Sequence, residues 1–295
     1  MSLRIATRRS PLALWQTNHV VDLLGLARPD LEVEIVGLET TADQNLSVSI
    51  SEIGGKGAFC KQVQQLVLDG RADIAVHSAK DLQAITPTGL MIGAFPERGD
   101  ARDALVGSQL AQLRKGALVA TGSQRRRVQL AEARPDLRFA ELRGNIATRL
   151  GQLGTFDAIV MAVVALERLQ IVSHQIDPLA AEVMLPQVGQ GGLAIECRYD
   201  DPDVAGLLAA IDHRASRQLI EAERDFLTEL GGDCDLPAGA HARFNAAEPG
   251  GDDPSITVVG MLATDTSSPV HRSAVSGLES DRPGRELARR LRASV

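Results

Sequence analysis

Short apolar segments alternate with segments of helical periodicity in the first part of the chain. The apolar runs that predict strands are residues 3–7, 31–39 and 72–78. The periodic stretches that predict helices are residues 11–27 and 58–70. Ser10 and Pro11 suit an N-cap and a first helical residue, and Gly70 suits a helix end. This order predicts a parallel sheet with helices packed on its faces.

The same pattern begins again after the charged segment 96–103, which we interpret as a link. The predicted strands are residues 117–121, 138–143 and 157–166, the last of them long and buried. The predicted helices are residues 123–134 and 145–153. These elements indicate a second α/β domain. The segment 185–198 fits a strand that returns to the first sheet.

The character of the chain changes from about residue 213, where a long helix is predicted at 217–230. The strands expected after it lie around 240–245, 255–264 and 270–276, before a basic terminal helix. The predicted fold class is therefore α/β, with two α/β domains and a small α+β C-terminal domain. The expected domains are residues 1–95 with 190–210, residues 99–187, and residues 213–295.

Composition narrows the class of protein. Of the 295 residues, 44% are hydrophobic but only 3% are aromatic, so the core must be aliphatic. No apolar run approaches the length of a membrane span or precedes a cleavage site, so we expect no membrane span, no signal peptide and a cytosolic location. The three cysteines lack CxxC spacing and the six histidines lack paired-ligand spacing. Neither a disulfide framework nor a metal site is therefore expected.

Arginine accounts for 27 of the 31 basic residues, and several arginines stand beside small polar residues at the ends of predicted elements. These clusters lie at residues 6–10, 121–127 and 142–149. In α/β sheets such positions line the ligand crevice, where a guanidinium binds carboxylate or phosphate through two hydrogen bonds at once. Because the formal net charge is −7, the pattern favours one local anion pocket over a nucleic-acid surface.

The arginines could also have two origins unrelated to anion binding. A GC-rich genome would raise the ratio of arginine to lysine, and surface arginines would pair with the 38 acidic residues. Surface pairing is the favoured interpretation for Arg127, Arg134 and Arg138. Anion binding is the favoured interpretation for Arg8, Arg125, Arg126, Arg143 and Arg149.

Three further segments carry candidate chemistry. Ser78, Lys80 and Asp81 follow a buried strand, where an acid beside a lysine can hold a cationic centre or form an ordinary salt bridge. The loop GGKG could bind phosphate or act as a lid that carries Lys56. Cys234 lies in a glycine-rich turn and could be a nucleophile, an attachment point or incidental.

Seven motifs occur in the order found in porphobilinogen deaminases, which are also called hydroxymethylbilane synthases. They are RIATRRSPLALWQ, GGKGAF, ADIAVHSAKD, TGSQRR, LRGNIATR, LPQVGQG and a CxxP turn at Cys234. From residue 3 to about 240 the chain therefore resembles this family, and beyond that point it matches only in outline. It departs from the family pattern at Thr41, Glu52, Leu82, Gln83, Gly122, Gln124 and Asp233.

The resemblance implies two domains with the topology of periplasmic anion-binding proteins and a third domain that carries a cofactor. The cofactor would be dipyrromethane, joined by a thioether to Cys234. Four porphobilinogens would be added head to tail with loss of ammonia, and water would release hydroxymethylbilane. The chain would be a monomeric cytoplasmic transferase of tetrapyrrole and heme biosynthesis, with porphobilinogen as its partner and neither nucleic acid nor membrane.

The resemblance also implies roles for individual residues. Asp81 would be the catalytic carboxylate, which stabilises the cationic pyrrole and azafulvene states and assists proton transfer. Lys56 would act from a flexible loop, Asp43 would lie near the cofactor, and Gln190 would lie near the growing chain. The residues that would bind acetate and propionate groups are Arg8, Ser10, Ser78, Lys80, Thr121, Ser123, Arg125, Arg126, Arg143, Arg149 and Arg168.

Two alternatives belong to other classes: a non-catalytic anion-binding module and an inactive paralogue. Two α/β domains permit the first, because a fold does not fix a function. A binding module gives no reason for Cys234, or for Asp81 beside Lys80.

Overall fold

The computed structural model describes residues 2–38, 58–231, 237–246 and 254–295. The strands are Ser2–Arg8 (β1), Glu32–Leu38 (β2), Ile74–Ser78 (β3), Leu90–Ala94 (β4), Asp103–Val106 (β5), Leu118–Ala120 (β6), Arg138–Ala140 (β7), Ala158–Ala162 (β8), Ile176–Pro178 (β9), Leu193–Arg198 (β10), Ala238–Phe244 (β11), Ile256–Leu262 (β12) and His271–Gly277 (β13). The helices are Pro11–Ala27 (α1), Ala58–Leu68 (α2), Gln124–Ala133 (α3), Ile146–Leu150 (α4), Val163–Arg168 (α5), Pro202–Ala209 (α6), Arg214–Glu229 (α7) and Pro283–Arg292 (α8). Short 3₁₀ turns lie at Ala79–Asp81, Leu110–Gln112 and Glu279–Asp281.

Two five-stranded sheets share one design. Their strand orders are β2-β1-β3-β10-β4 and β7-β6-β8-β5-β9. In each sheet four strands run in the same direction, and the fourth strand in the order, β10 or β5, runs antiparallel to both of its neighbours. A third, antiparallel sheet has the order β11-β12-β13. The predicted α/β class with a separate small sheet is confirmed, although the two larger sheets are mixed rather than purely parallel.

The chain divides into two compact units. The first consists of Met1–Gly99 and Gly191–Arg217 and contains the first sheet. The second consists of Asp100–Gln190 and Gln218–Val295 and contains the other two sheets. Because the second unit contains two of the three expected domains, the division into three domains stays a prediction.

The cores of both units are largely aliphatic, as the composition predicts. In the first unit, Ile5, Ile74 and Ile195 of the sheet pack with Val20 and Leu24 of α1. The second unit has a comparable aliphatic core, formed by Leu105, Val119, Leu130 and Val160. Around the third sheet the buried cluster includes Phe226, Ile256, Val258, Leu287 and Leu291.

The prediction of one long strand at 157–166 is wrong for the second half of this segment. Strand β8 ends at Ala162, and α5 begins at Val163. Residues Ala158–Leu166 are all buried, so the segment has no polar positions that would reveal a period of two or of 3.6. An entirely apolar run therefore does not distinguish a buried strand from a buried helix.

The charged segment 96–103 is not entirely a link. Its last residue, Asp103, begins β5 and is completely buried. Strands β4 and β9 and helix α6 are further elements that the sequence pattern did not predict.

Candidate active site

A cleft in the first unit lies where the parallel strands β1 and β3 end. Arg8 is the last residue of β1 and Ser78 is the last residue of β3. Ser10 is the N-cap of α1, and Asp81 ends the 3₁₀ turn that follows β3. All four residues line the cleft. The structure therefore brings four predicted site residues together, as expected at the carboxyl ends of parallel strands.

The serine hydroxyls of the cleft are held by neighbouring groups. Gln16, which is buried, donates from Nε2 to Ser78 Oγ over 2.8 Å. The Ser10 Oγ accepts a 3.3 Å hydrogen bond from the backbone N–H of Ala13, the usual geometry of an N-cap. Lys80 lies half-buried on the turn that carries Asp81.

A buried charged pair adjoins this cleft. His77 Nε2 lies 3.1 Å from Glu196 Oε2, and Gln64 Nε2 donates to the same oxygen over 2.8 Å. Burial lowers the pKa of His77, but its interactions with Cys60 and Glu196 outweigh this effect and raise the pKa to about 10.

Neither member of this pair was predicted as a site residue. His77 lies within the motif ADIAVHSAKD, and Glu196 is the one acidic residue in the strand LAIECR. A lone acid in an apolar strand was the available signal, because a buried carboxylate requires a partner.

In the second unit, two predicted anion-binding arginines converge on the buried carboxylate of Asp103. The Nη2 atoms of Arg125 and Arg126 each lie 2.6 Å from an Asp103 oxygen. Gln190 Nε2 donates to the same carboxylate over 2.9 Å. Arg125 also donates from Nη1 to the carbonyl oxygen of Leu185. One carboxylate thus lies between two guanidiniums, which leaves the cluster with an excess of positive charge.

The remaining predicted residues of the second unit lie on successive elements. Thr121 follows β6, and its Oγ1 accepts a 3.2 Å hydrogen bond from the backbone N–H of Ser123, the N-cap of α3. Arg143 is exposed and precedes α4, and Arg149 of α4 donates from Nε to the carbonyl oxygen of Gly144, just before the helix, over 2.7 Å. Arg168 ends α5, and burial lowers its pKa to about 10.

Three predicted residues, Asp43, Lys56 and Cys234, lie outside the described residues. Within the described ranges, no group of three or more histidine, cysteine, aspartate or glutamate side chains could hold a metal ion. No helix in that part of the chain is long and apolar enough to cross a membrane.

Comparison with protein families identifies the chain. Residues 3–206 match the model described as porphobilinogen deaminase, dipyromethane cofactor binding domain. The chain belongs to the porphobilinogen deaminase family. The enzyme of this name from Brevibacillus brevis is 42% identical over 295 residues, which cover 98% of this chain and 94% of the relative. The one from Syntrophomonas wolfei is 42% identical over 297 residues, with 98% and 95% covered.

Solved structures resemble the chain more remotely. The effector-binding domain of BenM with benzoate is 13% identical, with a TM-score of 0.44, and covers 71% of this chain and 90% of its own. A periplasmic sulfonate-binding protein, SsuA of Methylobacillus flagellatus, is 12% identical, with a TM-score of 0.41 and 78% and 69% covered. Likeness at this level carries no argument about function.

Membership of the porphobilinogen deaminase family confirms the predictions of family, enzyme class and cofactor. The chain is a transferase of tetrapyrrole biosynthesis, and its cofactor is dipyrromethane. The roles of individual site residues stay predictions.

Proposed function

We propose that this protein is a hydroxymethylbilane synthase and that Asp81 is its catalytic carboxylate. Four porphobilinogens are joined head to tail with loss of ammonia, and water releases the linear product. The observation that carries the proposal is the cleft of the first unit, where Asp81 lies with Arg8, Ser10 and Ser78. A carboxylate stabilises a cationic reacting centre, whereas a guanidinium and hydroxyls bind carboxylate side chains.

The position of Asp81 suits a group that meets substrate. Its side chain is exposed at the cleft, so an incoming pyrrole can reach it. Loss of ammonia from the aminomethyl group leaves a cationic pyrrole, whose ring N–H is a stronger donor than in the neutral substrate. A carboxylate that accepts this hydrogen bond stabilises the cation more than the neutral substrate, which is the requirement for catalysis.

The cationic and hydroxyl-bearing residues are proposed to bind the acetate and propionate side chains. Each porphobilinogen has two carboxylates, so a bound chain of six rings has twelve. Burying them without partners would cost several kcal/mol each, roughly. The excess positive charge around Asp103 supports this role for Arg125 and Arg126. The full proposed set is Arg8, Ser10, Ser78, Lys80, Thr121, Ser123, Arg125, Arg126, Arg143, Arg149 and Arg168, and Gln190 is proposed to lie near the growing chain.

The donor set of the first unit fits a dipyrromethane. Leu12, Val63 and Val76 give the cleft an apolar wall for a pyrrole ring, and Arg8 supplies a guanidinium for a carboxylate. When bound, the cofactor supplies the pyrrole carbon to which the first substrate is joined. Its attachment through a thioether to Cys234, and the places of Asp43 and Lys56 near it, belong to this proposal.

We further propose that the enzyme is a cytosolic monomer that acts without nucleic acid or membrane. The acidic net charge of −7 supports the absence of a nucleic-acid partner. Light scattering of the purified protein tests the monomer. A non-catalytic module or an inactive paralogue is not favoured, because the family match covers most of the chain and the carboxylate, cysteine and arginine motifs are retained.

Intact mass of the purified protein tests the attachment and the function together. We expect the wild type to carry the mass of two linked substrate units and Cys234→Ser to carry none. Cys197→Ser is the matched control, because Cys197 is buried in β10, and it should be modified like the wild type. An unmodified wild type that stays inactive after incubation with porphobilinogen would exclude the proposed function.

A further inference from the structure

Leu185 is the first residue of the motif LPQVGQG, and one buried side chain pairs with both of its backbone groups. Gln129 of α3 is completely buried. Its Oε1 accepts from the backbone N–H of Leu185 over 2.8 Å, and its Nε2 donates to the Leu185 carbonyl oxygen over 3.1 Å. Leu185 is itself buried and lies outside the helices and strands. Buried backbone groups need hydrogen-bond partners, and the amide of Gln129 supplies both.

The same carbonyl oxygen accepts from a predicted anion-binding arginine. Arg125 donates from Nη1 to Leu185 and from Nη2 to Asp103, the latter over 2.6 Å. Among the described residues, these contacts take up two of the five N–H donors of the guanidinium, so donors remain for a ligand carboxylate. Gln129 Nε2 also donates to the carbonyl oxygen of Arg125, one turn earlier on α3, over 3.1 Å. Gln129 therefore contacts the backbone of Arg125 directly and its guanidinium through Leu185.

The stem of Arg125 passes a position where β11 has no side chain. A Cβ on Gly239 would lie 2.7 Å from the carbonyl oxygen of Pro186 and 3.0 Å from Cδ of Arg125. The first distance is shorter than Cβ contacts in proteins, so a larger residue would displace one of these neighbours. Arg125 is only 4% exposed. Packing around the stem, and not free rotation, therefore sets the direction of its guanidinium.

We propose that Gln129 is a positioning residue for Arg125 and acts through the carbonyl oxygen of Leu185. Gln129 need not touch substrate. The ligand groups concerned are the acetate and propionate side chains of the pyrroles, so the inference rests on the anion-binding role proposed for Arg125. A donor that is already oriented binds its ligand more tightly, because less ordering is required on binding.

Steady-state kinetics of the cofactor-loaded enzyme test this role. Gln129→Met keeps the approximate size of the side chain but removes its hydrogen bonds to Leu185 and Arg125. KM for porphobilinogen should rise about fivefold, and kcat should change less than about twofold, because weaker binding of a carboxylate affects ground state and transition state alike.

Thr257→Val is the matched control for Gln129→Met. Thr257 is another buried polar residue of the second unit, and its hydroxyl is hydrogen-bonded to Asn245 and Ser276. Loss of these hydrogen bonds should lower Tm, as in Gln129→Met, but should leave KM at the wild-type value. A purely structural role for Gln129 would give both variants the same kinetics.

Calorimetric titration with porphobilinogen provides a measurement that does not depend on activity. In a Cys234→Ser background no covalent product is retained, so the titration reports reversible binding. Adding Gln129→Met should raise Kd about fivefold. In a protein that also carries Arg125→Lys, Gln129→Met should have little further effect, because the guanidinium that it positions is absent.

Gly239→Ala tests the packing of Arg125 from the other side, and it decides the question if Gln129→Met does not fold. The added Cβ should displace Arg125 or the backbone of Pro186 and raise Kd for porphobilinogen in the Cys234→Ser background. Gly206→Ala is the control, because a Cβ there meets nothing within 4 Å, and it should leave Kd unchanged.

The outcomes separate this inference from the proposed function. Asp81→Asn should lose about 100-fold or more of kcat, and a near-normal rate would overturn the role of Asp81 itself. If Arg125→Lys leaves Kd unchanged, the anion-binding role of Arg125 is wrong, and the inference with it. If Arg125→Lys weakens binding while Gln129→Met changes neither KM nor Kd, the positioning proposal is wrong and the proposed function stands. An equal rise of KM in Thr257→Val, or a full effect of Gln129→Met beside Arg125→Lys, overturns it as well.

Discussion

In each of the two five-stranded sheets, one buried carboxylate pairs with cationic side chains. Glu196 on β10 pairs with His77, and Asp103 on β5 pairs with Arg125 and Arg126. In each sheet the acid lies on the antiparallel strand next to the parallel ones. A buried guanidinium or imidazolium needs such a partner, because an uncompensated buried charge is strongly destabilising.

The ionisation of Asp103 makes part of the stability pH-dependent. Burial raises the pKa of this carboxyl, but attraction to Arg125 and Arg126 outweighs it and holds the pKa well below the usual range. Burial lowers the pKa of Arg125, yet a guanidinium stays charged at neutral pH because its ordinary value is far higher. A depressed carboxyl pKa contributes stability that is complete above the unfolded-state value, about 4, and is lost as pH falls below it.

Asp103→Asn should therefore destabilise the protein most near neutral pH. The variant leaves two buried guanidiniums without a counter-ion, so we expect a loss of about 3–5 kcal/mol at pH 7. Urea unfolding between pH 7 and pH 3 measures the free energy of unfolding of both proteins. The gap in this free energy between wild type and variant should narrow below about pH 4. A gap that stays constant over this range would contradict the pairing.

Helix packing in the second unit depends on one glycine. Gly284 lies in the first turn of α8, and a Cβ there would overlap the carbonyl oxygen of Ala222 and touch the backbone N of Phe226 in α7. Gly284→Ala should therefore lower the free energy of unfolding by about 1–3 kcal/mol or more, because the two helix backbones must separate.

A second glycine provides the control for this substitution. Gly206 lies inside α6, and a Cβ there meets nothing within 4 Å. Gly206→Ala should raise the free energy of unfolding by up to about 1 kcal/mol through helix propensity alone. Urea denaturation measures both variants. A Gly284→Ala protein as stable as Gly206→Ala would contradict the close contact between the backbones of α7 and α8.

The sequence predicted an element correctly where its capping residue and its hydrophobic periodicity agree. Helix α1 begins at Pro11 after the Ser10 cap, as the sequence predicts, because a capping side chain and its helix are neighbours in the chain. The boundary between β8 and α5 was missed because the run is apolar throughout. The burial of Asp103 was missed because its partners lie more than 20 residues further along the chain.

What could be predicted of the candidate site also depends on whether the residues concerned are close together or far apart in the chain. Arg8, Ser10, Ser78 and Asp81 could be placed at one edge, because they follow strands that a βαβ pattern makes parallel neighbours. The pair of His77 with Glu196 was not predicted, because a strand that returns to the first sheet does not show which of its side chains meets His77, and the chain runs through the whole second five-stranded sheet between β3 and β10. The order of the motifs indicated the positions of the candidate site residues. Only the fold showed which neighbouring side chains contact them.

At the scale of the whole molecule, each compact unit by itself contains arginines at positions predicted to bind anions. The second unit buries two guanidiniums against one carboxylate at Asp103, so an anionic group nearby would relieve the excess charge. A cofactor that binds the native state and not the unfolded chain shifts the equilibrium towards folding. Loading with dipyrromethane should therefore stabilise the protein as well as activate it.

Calorimetry of loaded and unloaded protein checks this expectation. Wild-type protein prepared without porphobilinogen should gain about 5 °C or more in Tm after incubation with porphobilinogen, since about 1 kcal/mol corresponds to a few degrees in domains of this size. Cys234→Ser treated in the same way should gain much less, because no covalent cofactor is retained. An equal gain in both proteins would mean that reversible anion binding, and not the tethered dipyrromethane, stabilises the fold.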